Sequence, residues 1–472
     1  MSHEIHADYA QQFLLPRSLE EWVPADHPSR FIRDFVEVLD LSGLGFKVRP
    51  SGDVGRPNYS SDLMVKAWLY GFMHKIRSSR KLEAACRSQI GLLWLLGTHA
   101  PDHNSLWRFW RDNKVALRSL FKQSVKVAVK SEMVGFALQA LDGTKIPAQV
   151  SRKKALHRKD LVKEWKGLSQ AVSHYAEAVE EASDQEGGEY RLPEEMQDAN
   201  KRKAEIEEAL RMLSEEQTDH LHPGDLESRM MKTTGGIEFA YNGQVVSDAK
   251  EGIIVAEDVT NEETDRGQLT PMLDEVKENL GQVAKETLAD GGYHSGAELK
   301  KAEEKGYEVL VSPGSDETKE GEYRASQFEY DALNDCVICP EGQLLSYERT
   351  KRNRRQKYAV RVYRGRSCSE CPVRDQCTGE RRGRSIEIAP HHLARIRQRR
   401  KRQDPKNQQL LAMRKQIVEP TFGWIKEAHG FRRWSVRGLE NVRTQWALVC
   451  TAINLAKLYK LWRAGNLQLA CT

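Results

Sequence analysis

No uninterrupted stretch of the sequence reaches the roughly 20 apolar residues that cross a bilayer as a helix, so helical membrane spans are not expected. The opening "MSHEIHADYAQQF" lacks the apolar core of a signal peptide, and the expected location is the cytoplasm. Cysteine is scarce, 8 in 472 residues, too thin for a secreted disulfide scaffold. Five of the eight nevertheless fall between residues 336 and 377, which directs attention to metal or redox chemistry. A large net charge is also missing: the formal balance is only +5. That balance hides opposite blocks. Residues 349–402 carry 19 Lys/Arg against 4 Asp/Glu, and residues 156–219 carry 17 Asp/Glu against 9 Lys/Arg. A basic block of that density suits a polyanion, most often nucleic acid. The plainer alternative is a solvated basic face.

A chain of this length can bury a substantial core and is expected to form two or three units. Residues 1–134 are predicted to be a helical domain. "SRFIRDFVEVLDLSGL", "SSDLMVKAWLYGFMHKI", "SSRKLEAACRSQIGLLWLLG" and "NSLWRFWRDNKVALRSLFKQSVKVAVK" each space apolar residues by three and four. Ser60 or Ser61 and Asn104 are candidate helix caps. The last two of these segments resemble a helix-turn-helix whose reading helix, "SLWRFWRD", would turn Arg108 and Arg111 outward; ordinary helix packing explains the pattern equally well.

Next, "GFALQALDGTKIPAQVS" reads as a strand ending at Asp142, followed by Gly143. Residues 153–224 read as an inserted, charged helical hairpin without a catalytic site. Strands and helices then alternate through "GIEFAYNGQVVSD", "GIIVAEDVTN", "GQLTPMLDEVKENLG", "AKETLADGG", "SGAELKKAEEKG" and "YEVLVSP", the pattern of an α/β unit with a mixed sheet. Residues 135–152 and 225–315 are the first parts of this unit. A basic, cysteine-rich insert (316–402) and C-terminal helices (403–472) follow.

Two carboxylates occupy similar settings. Asp142 and Asp290 each close a β-rich run and each precede glycine, and carboxylates at strand ends can converge on one rim to bind Mg²⁺. A third acidic ligand is needed for two ions. In "QIVEPTFGWIKEAHGFRRW", Glu419 and Lys426 are seven positions apart, about two turns of one helical face. Pro420 suits a first helical turn, which would put Glu419 at a helix start near the site. Asp-Gly taken alone is an ordinary turn signal. Asn242, Gln244 and Asp248 alternate along one strand and could support the site or form a solvent stripe; Asp248 is the reserve acidic candidate. His294 could contact a phosphate or simply begin a helix. Trp424 and Trp434 could stack on a flipped base, with core burial favoured for Trp424.

"LDGTKI", "YNGQVVSDAKEGIIVAEDVTNEETDRGQLTPML", "LADGGYHSG" and "IVEPTFGWIKEAHGFRRW", in this order, resemble the DDE transposases of bacterial insertion sequences. The likeness is to the subgroup with a helical N-terminal domain and a cysteine-bearing insert, and it covers nearly the whole chain. It implies an RNase H-like catalytic domain with Asp142, Asp290 and Glu419 as the metal-binding triad and Lys426 as the basic partner of the glutamate. Two Mg²⁺ or Mn²⁺ ions there would serve in-line displacement at phosphorus. The glycines after each aspartate would leave room for a DNA backbone.

"CVICPEGQLL" and "CSECPVRDQC" supply two C-x-x-C pairs, the spacing of a structural zinc site. Five cysteines leave one over: spacing accepts Cys336 or Cys339, while the resemblance favours Cys339 with Cys368, Cys371 and Cys377. A redox role is the alternative. The implied function is a transposase that binds its element's terminal inverted repeats, cleaves there and joins the 3′-hydroxyls to target DNA. Arg108, Arg111, His294, Arg432, Arg433 and Arg437 are the candidate DNA contacts. A homodimer acting in the cytoplasm on the nucleoid is expected. The rival readings are a nuclease of the same fold without joining and a non-catalytic DNA-binding regulator.

Overall fold

In the computed structural model, which describes residues 18–47, 58–151, 154–183, 194–314, 323–352, 358–467 and 469, the chain begins with helices. These are α1 (Leu19–Trp22), α2 (Pro28–Glu37), α3 (Ser61–Met73), α4 (Ser79–Ser88), α5 (Ile90–Leu95), α6 (His103–Asp112) and α7 (Lys114–Lys130). Two segments that read as single helices are broken. Gln89 turns extended, with ψ 115°, and separates α4 from α5. Asn113 separates α6 from α7, donating its side-chain amide to Phe109 O (2.9 Å) and accepting from Lys47 N (2.9 Å). The cap of α6 is Asp102, not Asn104: its Oδ1 accepts from the Asn104 and Ser105 amides, each at 2.9 Å.

The central sheet follows from β1 (Leu138–Pro147). Between β1 and the rest of that sheet lie β2 (Leu156–His157), α8 (Arg158–Ser183), α9 (Glu194–Glu215) and β3 (His220–Leu221). α8 and α9 pack on each other around Leu161, Ile206 and Leu213. Then come β4 (Arg229–Thr233), β5 (Gly236–Asp248), β6 (Ile254–Thr260), α10 (Leu269–Leu280), β7 (Glu286–Ala289), α11 (Gly296–Glu304) and β8 (Val309–Val311). β4 and β6 pair antiparallel with β5, β5 pairs antiparallel with β1, and β1, β7 and β8 run parallel. Parallel neighbours need crossovers, and α10 and α11 lie in the connections leading into β7 and β8.

A second sheet comprises β9 (Glu329–Asp331), β10 (Cys336–Ile338), β11 (Leu344–Arg352), β12 (Ala359–Gly365) and β13 (Ser385–Ile388), with α12 (Arg374–Cys377) in its last connection. It has its own small core of Phe328, Val337, Leu345, Tyr363, Ile386 and Ile388. The basic run does not stay with this insert. Its end is α13 (His392–Gln403), which rests on α11 and β8. Arg397 pairs with Glu303 (2.9 Å), Lys401 with Glu308 (2.9 Å), and buried Gln398 donates to Val309 O (2.9 Å). The insert boundary at residue 402 is therefore corrected to the end of β13, because these ion pairs make α13 a brace of the central unit.

Last come α14 (Pro405–Gly423), a π-helical turn (Trp424–Ala428) and α15 (Leu439–Arg463). α15 packs on β6, α7 and α3, and Asn454 bonds both backbone groups of Ile254 (3.0 and 2.9 Å). One hydrophobic core thus joins the N-terminal helices to the sheet, where the sequence suggests a separate domain for residues 1–134. Among the described residues no helix is long and apolar enough to cross a membrane.

Candidate active site

β1 and β7 pair in parallel up to Leu141 and Ala289. The next residue on each strand is an aspartate, so Asp142 and Asp290 stand side by side where that ladder stops. β1 itself runs on to Pro147, because β5 keeps pairing with it from Asp142↔Val245 to Pro147↔Ala240. Asp142 is therefore inside a strand, a correction to the expected strand end. Its Oδ1 accepts from Gly143 N (2.8 Å) and its Oδ2 from Arg414 Nη1 (2.9 Å). Burial pushes the Asp142 carboxyl above its ordinary value; the Arg414 guanidinium pulls it back and the Asp290 charge pushes it up again. Asp290 caps a 3₁₀ turn, accepting from Gly292 N at 2.7 Å.

Arg414, Glu419 and Lys426 arrive on one helical run. α14 starts at Pro405, where Asp404 accepts from Lys406 N (2.9 Å), so Glu419 is in the helix interior and not at its start. The Asp-Pro pair is the stronger start signal, and Pro420 is tolerated inside the last turn. The helix then widens into the π turn at Trp424, so Glu419 and Lys426 do not share one regular α-helical face. Glu419 is exposed. It is bracketed by two groups that act on Asp142: Arg414 by direct contact, and Lys426, whose ammonium is lowered by burial and by Arg432 and raised by Asp142.

The glycines after the aspartates prove to be filled by protein. A Cβ on Gly143 would lie 2.4 Å from Gln244 Nε2 and 2.9 Å from Asp265 Oδ1, and one on Gly292 would lie 2.9 Å from Asp290 Oδ1 and 3.2 Å from Asp265 Oδ2. A Cβ on Gly291 would meet Pro313 O at 2.4 Å. This corrects the expectation that they clear a path for DNA. Asp265, which the sequence reading missed, accepts from Asn242 Nδ2 (2.7 Å) and Gln244 Nε2 (2.8 Å). The signal was present as two amides on one face of β5 with no assigned acceptor. Asp248 takes no part: it accepts from the Gly135, Phe136 and Lys250 amides (3.0, 3.2 and 2.9 Å) and fastens the start of β1.

The candidate DNA contacts divide. Arg108 and Arg111 are exposed on α6 beside Trp107, itself 40% exposed, while Trp110 is buried. Arg432 is exposed and grips Glu427 (2.6 Å to each oxygen). Arg433 and Arg437 are engaged elsewhere, donating to Ala148 O (2.7 Å) and Gln149 O (3.0 Å). They stitch the chain after the π turn to the end of β1, and both remain exposed. His294 is buried beneath Gly314 and not displayed. Trp434 is the core tryptophan, donating to Ile146 O at 3.0 Å, whereas Trp424 is only half-buried with Lys460 over its ring, the reverse of the expectation.

Cys339, Cys368, Cys371 and Cys377 line one cavity walled by Phe328, Leu345 and Val373; Cys336 does not reach it. Gly342, with φ +75°, turns the chain so that Gln343 N donates to Cys339 Sγ at 3.2 Å. Burial pushes the Cys377 thiol up, Arg384 lowers it, and the three neighbouring sulfurs raise it further. Among the described residues no three His, Cys, Asp or Glu stand close enough to grip an ion. The donors still fit by chemistry: oxygens only at the aspartate rim, sulfurs only in the insert.

Two family models match the chain, a Transposase DDE domain over residues 338–459 and a Transposase domain (DUF772) over residues 17–112. No curated protein matches it.

Proposed function

The chain is a DDE transposase of the insertion-sequence type, and from that premise we propose that it binds the terminal inverted repeats of its element, cleaves there and transfers the 3′-hydroxyl ends to target DNA. The observation that carries this reading is the pairing of Asp142 with Asp290 at the end of the β1–β7 ladder, beneath the helix that bears Arg414, Glu419 and Lys426. The strand order is consistent with an RNase H-like sheet. Asp142, Asp290 and Glu419 would hold two Mg²⁺ or Mn²⁺. When bound, such ions lower the pKa of an attacking water or 3′-hydroxyl and stabilise the leaving 3′-oxygen. Arg414 offsets part of the burial that favours the protonated form of Asp142, and Lys426 offers its ammonium to the phosphate beside Asp142.

Exposed Arg108, Arg111 and Trp107 on α6 would meet the duplex, together with the basic face of the insert. Cys339, Cys368, Cys371 and Cys377 would hold a structural Zn²⁺ that closes the insert. Two DNA ends imply a homodimer in the synaptic complex, working on cellular DNA in the cytoplasm.

The test is cleavage of labelled DNA carrying the repeats with Mg²⁺ or Mn²⁺, comparing wild type with Asp290→Ala. Cutting at the repeat ends that the variant loses while still binding DNA supports the reading. Cutting without joined product leaves a nuclease, and DNA binding without cutting by the wild type leaves a regulator.

A further inference from the structure

Asp265 lies in the loop between β6 and α10, and its carboxylate is delivered to the rim that carries Asp142 and Asp290. The Asn242 and Gln244 amides hold Oδ1 at 2.7 and 2.8 Å, and Lys145 Nζ stands 3.6 Å from Oδ2. The side chain fits between the glycine after Asp142 and the second glycine after Asp290, the two places where a Cβ would strike it. Tyr293 adds a further brace, its hydroxyl donating to Gln244 Oε1.

One atom in this arrangement is unsatisfied. Asn242 is fully buried and its Oδ1 has no hydrogen-bond partner; it is aimed at Gly143, where a Cβ would be 3.0 Å away. A buried acceptor left without a partner is costly, because it has lost its water and gained nothing in return. Turning the amide over would only set its oxygen against the Asp265 carboxylate. An acceptor left open beside carboxylates calls for a cation or a water bound to one.

Building on the function proposed above, we propose that Asp265 is a further carboxylate of the metal centre formed by Asp142 and Asp290, with the Asn242 carbonyl satisfied when that centre is loaded. Asn242, Gln244 and Tyr293 are then positioning residues, and Lys145 balances the Asp265 charge before metal binds.

The test is Mn²⁺ binding to the full-length protein without DNA, read by calorimetry and by the rise in Tm on adding Mn²⁺, for wild type, Asp142→Asn and Asp265→Asn. Circular dichroism checks the fold, and Asp265→Ser replaces the asparagine variant if that one is unstable. Weakening of Mn²⁺ binding by about tenfold or more in both variants is expected. Wild-type affinity in Asp265→Asn alongside weakened Asp142→Asn overturns this proposal and spares the Asp142–Asp290 centre. Wild-type affinity in both overturns the metal centre itself, and Asp265 with it.

Discussion

A methyl group is the smallest probe of the aspartate rim. Gly143→Ala must displace Gln244 or Asp265, which hold each other, so it should cost about 1–3 kcal/mol, seen as a lower Tm. Gly267→Ala, with nothing within 4 Å of the new methyl, is the control and should stay near wild type. A guanidinium is the next probe. Arg414 lowers a carboxyl that burial raises; in Arg414→Met the Asp142 proton is held to higher pH, so the acid limit of Mn²⁺ binding should move up. Titrations of Mn²⁺ affinity against pH check it, and an unmoved limit would separate Arg414 from the site. The aspartates themselves were legible because each closes an apolar run before glycine. Asp265 was not, because "NEETDRGQ" reads as a solvated turn and its role depends on two amides brought from another strand.

At the level of the element, β5 was legible as a strand from its β-rich composition and the turn signals that bound it, although it is buried on both faces from Phe239 to Asp248 and does not alternate. α14 was not, because Pro420 drew the expected helix start to the wrong place and no local pattern announces a π turn. That turn sets where Lys426 points. Pro420→Ala restores a backbone donor and should raise stability by up to about 2 kcal/mol while lowering cleavage, because the spacing from Glu419 to Lys426 shifts; a higher Tm with undiminished cleavage would count against it. In the insert, cysteine spacing could not choose between Cys336 and Cys339, whereas the Gly342 turn and the shared cavity favour Cys339. Metal analysis of purified protein should find zinc retained in Cys336→Ser and lost in Cys339→Ser, with the small sheet unfolding in the latter and on chelation.

Across the whole molecule, the shared core means that stability belongs to the N-terminal helices and the sheet together, and its weakest assumption is a buried pair of acids. Glu257 on β6 is 8% exposed, and its amide donates to Glu275 of α10 at 3.3 Å, with Cys450 of α15 nearby. Burial and the like charge of Glu275 hold Glu257 far above the carboxylate range, and burial pushes Glu275 up to about 8. An acid raised in the folded state stabilises fully only below its unfolded value, and that contribution is lost as pH climbs through the folded value. Three other groups run the opposite way. His392 and His429, held down to about 4, favour folding more as pH rises to 6.5, and Lys457, lowered to about 8, does so above that value. Between pH 6.5 and 8 the acid pair should therefore dominate, and Tm should fall across that window. Glu275→Gln keeps an acceptor for the Glu257 amide and removes the ionisation, so its Tm should stay flatter there. Parallel curves for wild type and variant would remove the pair as the cause.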